Sequence, residues 1–461
     1  MYWANFLHIY QPPTQKEIWV RRITQESYRK IFDGLSQIKR ARLTLNINGI
    51  LCELLDKWGG QDVLQNIRRL VESGNLELTG SAKFHAFLPL LPEKEIERQI
   101  LLNEETLNKY FGIDWKKGGF FSPEMAYSFK VAKVAARLGY KWIILDELGF
   151  PADSELSPNV VYQIDGLKDF GVFFRERTLS FTILSAQIGT VPTVLRHLGD
   201  RIGRREYIIT AMDGETFGHH RPGMETFLFD LLNEPIIEPV MLSDLAQHFH
   251  NTKTIAPQNS TWAATKDDIQ DGKPFARWKS DDNSIQQAQW QLTDLAIEIA
   301  NRKPIELKIR RMLDEAVHSD QYWWASAKPW WSLEMMERGA YELKTLIQMA
   351  DKAKPEEKKT AEELYQKIIL TAFDWQRSGY VDEISRNEDE EILERLEEKE
   401  KPFITKNEFQ QMIDTMNEQM RLAAKAEEYH RAAMIKDRIR ELKEEMEKVR
   451  TTSNPTPARK P

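Results

Sequence analysis

The sequence predicts an α/β fold: a closed or nearly closed barrel of about seven parallel strands, followed by a helical region and a C-terminal helical stretch. Three observations carry this. Over the first ~250 residues short apolar runs alternate with helix-length segments, the pattern of repeated strand–helix–strand units. From about residue 283 the apolar positions recur three or four apart and strand-like runs cease. The chain, at 461 residues, is too long for one ordinary core and calls for two or three domains.

The predicted barrel strands are 2–9 (YWANFLHI), 42–48 (RLTLNIN), 76–81 (LELTGS), 118–122 (GGFFS), 141–146 (KWIILD), 207–212 (YIITAM) and 238–243 (EPVMLS). Helices are predicted between them at 61–73, 93–110 and 128–138, the last stopped by Leu138-Gly139. Residues 160–200 interrupt the rhythm with two further β-like runs, VVYQI and VFFRE, read as an insertion over the barrel rim. The barrel is thus assigned to 1–280. A helical region at 281–385 is built from segments 284–303, 305–319, 333–350 and 356–378. Residues 386–405 form a charged linker, 406–450 a helical module with an apolar stripe, and 451–461 a polar, Pro-containing tail expected to be disordered.

Composition narrows the function. Apolar residues make up 41% and charged residues 29%, a globular balance that excludes a mostly disordered chain. Net charge is −7, which argues against a general polyanion binder, so no nucleic-acid partner is expected. No stretch approaches the ~20 apolar residues of a membrane span, and MYWANFLHIYQPP lacks a basic leader. With Cys52 as the single cysteine, neither an intrachain disulfide nor a cysteine-cluster metal site is possible. These readings point to a cytoplasmic protein without membrane partner, and no cofactor or metal is called for.

Chemistry collects at the predicted strand ends. His8 and Gln11 follow the first strand, Asn46 and Asn48 end the second, and His85 follows the third. Glu124 follows the fourth, Asp146 and Glu147 the fifth, and Asp213 with Glu215 the strand at 207–212. Such residues are also common caps and turn formers. In parallel barrels, however, the loops after the strands converge on one mouth, where catalytic groups sit. Glu124 lies in GGFFSPEMAYS on a turn stiffened by Pro123. Asp213 lies in ITAMDGETFGHHRPG, whose glycines permit close backbone approach to a ligand.

Two carboxylates from different strand ends suit glycoside cleavage, one as nucleophile or base and the other as acid. The aromatic load suits a sugar ligand, whose C–H faces stack on rings. The chain has 13 Trp, and Trp323, Trp324, Trp330 and Trp331 cluster after His318-Ser319-Asp320 as a possible platform or as anchors of the helical layer. A second reading gathers His8, His85, His219 and His220 with Asp213 around a divalent metal, as in a polysaccharide deacetylase. A third is a glycan-binding protein without turnover. Phosphate-binding GxxxxGK[ST], dinucleotide and GxSxG motifs are absent.

HIYQPP (8–13), GNLELTGSAKFHAFLPLLP (74–92), GGFFSPEMA (118–126), MDGETFG (212–218) and EAVHSDQYWWAS (315–326) occur in that order. Together they resemble glycoside hydrolase family 57, the retaining α-glucan-active family of amylases, amylopullulanases, branching enzymes and 4-α-glucanotransferases. The resemblance implies a distorted (β/α)7-type barrel followed by a helical region, acting on a polysaccharide or oligosaccharide. It implies Glu124 as the nucleophile and Asp213 as the general acid and base, with His8, Gln11, His85, Asp320 and Trp323 lining the sugar site. Retention calls for carboxyl groups about 5–5.5 Å apart, and for an Asp213 pKa raised by burial and by the Glu124 charge. Tyr10 stands where the family usually has a second His, and Ala86 where it often has Pro; these positions bear on the sugar and linkage. Finally, MRLAAKAEEYHRAAMIKDRIRELKEEM (420–446) resembles the UVR motif, a helical hairpin, which implies a possible protein partner through the C-terminal helices.

Overall fold

Parallel strands buried on both faces read as continuous apolar runs, and the first strand, β1 (Tyr2–Ile9), is buried along all but its first residue. It pairs in parallel with β2 (Leu43–Ile47), which pairs with β3 (Leu76–Leu78). The structure, a computed structural model, describes residues 1–112, 115, 117–328, 330–386, 406–425 and 429–452. A parallel bridge between Gly80 and Phe120 joins β3 to β4 (Gly119–Phe120). Parallel pairing continues through β5 (Trp142–Asp146) to β7 (Gly171–Arg175). On its other edge β1 pairs with β8 (Tyr207–Asp213).

The wall therefore runs β8-β1-β2-β3-β4-β5-β7, all parallel. Its ends meet at a seam, where the Glu176 N–H donates to the Ile209 carbonyl at 2.7 Å and Arg175 Nη1 donates to the Ala211 carbonyl at 3.0 Å. This is the distorted α/β barrel with following helices that the strand count implied. Its membership differs in one strand. The run inside the supposed insertion, β7, is a wall strand, because Val172, Phe173 and Phe174 are buried on both faces. The run at 238–243 contributes only β9 (Glu238–Val240), paired with the first residues of β1. β6 (Val161–Ile164) pairs antiparallel with β7 and parallel with β10 (Thr252–Ile255), outside the wall.

Side chains alternate along a strand, so one face of each strand fills the barrel. Ala4, Phe6, Ile144, Phe173, Ile209 and Ala211 form this inner cluster with Phe121 and Met125. Continued one step, the same period carries His8, Asp146, Arg175 and Asp213 to the inner face at the carboxyl ends of their strands. The alternation thus decides which strand-end residues face the mouth.

The helical region contains helices Ser284–Ala300, Leu307–Ala316, Leu333–Met349 and Pro355–Ser378. Two ion pairs lock it to helix Glu93–Phe111 of the barrel: Arg310 binds Glu95 in a buried pair (Nη1–Oε1, 3.0 Å), and Arg98 binds Asp314 in a half-buried one (Nε–Oδ1, 2.7 Å). The Ser319 N–H then donates to the His85 carbonyl at 3.0 Å. These contacts deliver the short helix Asp320–Trp323 to the barrel mouth.

The C-terminal stretch is two helices, Lys406–Lys425 and Tyr429–Thr452, with their own apolar core of Phe409, Met412, Ile413, Ala423, Ile435, Ile439 and Leu442. The hairpin rests on the barrel through Gln419 Nε2 to Thr226 Oγ1 (3.3 Å) and Arg438 Nη2 to the Ala186 carbonyl (3.4 Å). The predicted linker beyond Arg386 and the tail beyond Thr452 lie outside the described residues. Among the described residues no helix is long and apolar enough to cross a membrane.

Candidate active site

Glu124 occupies a short turn, Pro123–Met125, in which Glu124 (φ 62°) and Met125 (φ 51°) both adopt the left-handed conformation. Non-glycine residues rarely sit there, at a cost on the order of 1–3 kcal/mol, and such strain gathers at functional sites. The side chain is held from two directions. Trp262 Nε1–H donates to Oε2 at 2.9 Å, and the Ser319 hydroxyl bonds Oε1 at 3.2 Å. His85 Nδ1 lies 3.8 Å from Oε1, and the carboxylate side chain keeps 16% exposure.

Trp262 is itself fixed by charge. Asp146, fully buried, binds Arg175 Nε at 2.7 Å and Arg177 Nη1 at 2.9 Å. Both guanidinium groups donate to the Trp262 carbonyl, and that of Arg175 lies 5.6 Å from the indole ring centre. A chain of contacts therefore runs from the β5 and β7 ends to one oxygen of Glu124.

Asp213 ends β8 in register with His8 of β1. Among the described residues its carboxylate accepts no side-chain hydrogen bond. Two positions on, Glu215 is buried and accepts from the Tyr28 hydroxyl, the Gln11 amide (3.4 Å) and the Tyr10 N–H (3.4 Å). Tyr28 closes a π-helical turn, Thr24–Tyr28, in which Ser27 also bonds the Gly214 carbonyl at 3.1 Å. Gly218 serves this packing rather than a ligand: a Cβ there would lie 2.1 Å from the Glu26 carbonyl oxygen.

His8 and His85 are buried, and their ring nitrogens have protein partners. His8 Nδ1 meets Asn46 Oδ1 at 2.8 Å, the two Nε2 atoms meet at 3.1 Å, and His85 Nδ1 meets Ser319 Oγ at 2.9 Å. The Tyr10 ring covers His85 at 3.9 Å, and its hydroxyl donates to Asp320 Oδ2 at 2.7 Å. His318 Nδ1 bonds the same oxygen at 3.0 Å. Trp323 packs on Trp278 (centroids 5.1 Å), Trp324 on Trp330, and Trp331 on Trp375, so the tryptophans form separate contacts rather than one platform.

The predicted residues thus divide. Glu124, Asp213, Asp320 and Trp323 are partly exposed at the mouth, whereas His8, His85 and Gln11 form the buried wall behind it. His219 bonds Glu26 at 2.6 Å with His220 beside it, apart from the other two histidines' bonding chain. Among the described residues no three His, Cys, Asp or Glu side chains are placed to hold a metal ion.

Burial dominates the electrostatics. It pushes Glu124 up to about 8; the Trp262 hydrogen bond opposes this, and the Asp320 and Asp213 charges add to it. Burial lifts Asp213 to about 6 against the pull of Arg175. The two acids repel each other's charge, and for both burial is the larger cause of the rise. Burial and the Asp213 charge raise Glu215 to about 8, and burial lowers His85 to about 4. Burial also pushes Asp320 up, but bonds and charge from His318, then His85 and Tyr10, hold it below the usual carboxylate range.

The model of glycosyl hydrolase family 57 matches residues 5–258. The chain belongs to that family. The UvrB/uvrC motif matches residues 410–445, on the C-terminal hairpin. No curated protein shows sequence similarity that reaches significance. A family 57 branching enzyme from Pyrococcus horikoshii shares the fold with TM-score 0.60 and 16% identity, over 80% of this chain and 94% of that one. A family 57 branching enzyme from Thermococcus kodakaraensis, solved with glucose, gives 0.57 and 18%, over 79% and 94%. A 4-α-glucanotransferase from Thermococcus litoralis gives 0.57 and 16%, over 75% of this chain but only 58% of its own length.

Within the candidate site, the sequence did not point to Ser319, Trp262, Tyr28, Arg175 and Arg177 as neighbours of the two acids and Glu215. Ser319 sat inside a recognised block, and Arg175 followed from strand alternation once β7 joined the wall. For Trp262, in a loop between β10 and the helical region, no local signal existed.

Proposed function

We propose that the chain is a retaining glycoside hydrolase or transglycosidase acting on α-1,4-glucans by double displacement. The observation that carries this reading is the pairing of two partly exposed carboxyl groups, Glu124 and Asp213, at one barrel mouth within electrostatic reach of each other. Glu124, oriented by Trp262 and Ser319, attacks the anomeric carbon. Asp213 protonates the glycosidic oxygen and then, as carboxylate, takes a proton from the water or glucan hydroxyl that resolves the glycosyl-enzyme. Asp320, whose Oδ1 has no protein partner among the described residues, and the Trp323 ring are assigned to the sugar. His8, His85 and Gln11 support the site from behind. The family match and the amylase and glucanotransferase activities named for its solved relatives support the α-glucan assignment.

Incubation with maltooligosaccharides and amylose, with products separated by size, tests the reading. Ladders longer than the substrate mean transfer, shorter products alone mean hydrolysis, and unchanged substrate overturns the proposal in favour of deacetylation or binding alone. Full activity in Glu124→Gln would overturn the nucleophile assignment.

A further inference from the structure

Double displacement needs an ionised Glu124 beside a protonated Asp213, yet burial favours the proton on Glu124. The contacts behind Glu124 show where that proton can go. Four run in series: Asn46 Oδ1 to His8 Nδ1, His8 Nε2 to His85 Nε2, His85 Nδ1 to Ser319 Oγ, and Ser319 Oγ to Glu124 Oε1. Asn46 turns its carbonyl oxygen to His8, since its amide nitrogen donates to Thr79 Oγ1 at 3.1 Å. Trp262 occupies the other oxygen of Glu124. Both ends of the series are therefore acceptors. Four contacts need four protons, while two neutral imidazoles and one hydroxyl bring three.

We infer that this series holds one additional buried proton, shared between Glu124 and the paired imidazoles of His8 and His85 through the Ser319 hydroxyl. Ser319, His85 and His8 are then positioning residues for the nucleophile. The inference rests on the nucleophile role given to Glu124 above.

The proton count balances in both arrangements. In the first, protonated Glu124 donates from Oε1 to Ser319 Oγ, Ser319 to His85 Nδ1, His85 Nε2–H to His8 Nε2, and His8 Nδ1–H to Asn46. In the second, Ser319 donates to the Glu124 carboxylate and His85 Nδ1–H to Ser319. The remaining proton then bridges the two Nε2 atoms, and the ring pair carries one positive charge. Only O–H and N–H bonds change, and no proton leaves the protein.

The surroundings suit this. Tyr10 over His85 and Phe121 against His8 (4.7 Å) cover the two buried rings. Burial holds both rings below the usual imidazole range, His85 at about 4, and the Asp320 carboxylate, bonded by Tyr10 and His318, opposes this by favouring their charged form. The other titratable and charged groups facing the series are His318, which disfavours charge on His85, Asp213, whose charge acts on Glu124, and Arg175, held behind Trp262 by Asp146. An arrangement with the proton on the rings lets Glu124 be ionised while Asp213 is protonated, so activity persists on the acid side.

Two measurements on the full chain test this, with Ser319→Ala breaking the series and Ser319→Thr restoring its hydroxyl. The first is the pH profile of kcat/KM on maltooligosaccharides. Between pH 7 and 5, Ser319→Ala is expected to lose roughly tenfold more activity than wild type and Ser319→Thr to follow wild type. The second is NMR of 15N-histidine-labelled protein, which needs no substrate. In wild type the His8 and His85 ring nitrogens should shift together where Glu124 titrates, about 8; in Ser319→Ala they should not. Ring signals blind to that titration in wild type, or equal responses in Ser319→Ala, overturn the inference. Coupled ring signals in a wild type that leaves α-glucan untouched would uphold the shared proton and overturn the proposed function.

Discussion

The surroundings of the two acids differ sharply. Glu124 sits on a left-handed turn with both oxygens bonded and a hydrogen-bonded series behind one of them. Asp213 ends a regular strand, and among the described residues its carboxylate accepts no side-chain hydrogen bond; burial and the charges of Arg175, Glu124 and Glu215 act on it. The contrast matches the two roles proposed for them. A nucleophile must meet one carbon along one line, so fixing it removes orientational freedom before reaction. An acid that later becomes a base must address a leaving oxygen and then an incoming hydroxyl, which a bonded carboxylate cannot do.

The strongest way to break this comparison is to alter each acid in turn. Glu124→Gln should lower kcat/KM on every glucan by on the order of 10⁴-fold. Asp213→Asn should cost roughly 10²–10⁴-fold on maltooligosaccharides but far less on aryl glucosides with good leaving groups, which need no acid. Equal losses on both substrates would remove the distinction between the two roles.

Asp146→Asn tests the shared support. It leaves Arg175 and Arg177 without their buried partner and should lower stability by about 3 kcal/mol, measured by urea unfolding. The freed Arg175 charge should also pull Asp213 down, moving the alkaline limb of the kcat/KM profile to lower pH. Trp262→Phe keeps an aromatic ring but removes the donor to Oε2, with an expected loss near tenfold in kcat and little change in KM.

Glu215→Gln sharpens the account of burial. Its carboxyl group titrates near 8 in the folded chain, above its ordinary 4.5. The folded state thus binds more protons than the unfolded one between these values, and wild-type stability falls as pH rises through the window. The variant removes that loss. It should be more stable than wild type at pH 9 by up to roughly 5 kcal/mol and show a much smaller difference at pH 5. The smallest effect is expected from removing residues 406–461: the hairpin has its own apolar core and touches the barrel near Ala186 and Thr226. Here kcat/KM on maltooligosaccharides should stay within about twofold, since surface contacts of this kind contribute little; a larger drop would tie the hairpin to the loop after Asp213.

Much of this was legible in the chain itself. Wall strands are buried on both faces, so their apolar runs stand out locally, and the polar residue ending each run marks the mouth. Glu124, Asp213 and Asp320 were readable on these grounds together with the family blocks. The strand β7 was misplaced because its run looks like β6 beside it; only pairing partners distinguish a wall strand from a rim strand. Trp262 and Ser319 were not legible as ligands of Glu124, because 138 and 195 residues separate them from it.

Local pattern thus determined the elements, their order and which acids reach the barrel mouth, since period and burial are properties of neighbouring residues. Tertiary structure alone decided what each polar group bonds. It joined His8 and His85 in a hydrogen-bonded series behind Glu124, paired Asp146 with the two arginines that hold Trp262, and left the Asp213 carboxylate without a side-chain hydrogen bond among the described residues. Hydrogen-bond partners and desolvation depend on which distant segments fold against one another, and no spacing along the chain encodes that.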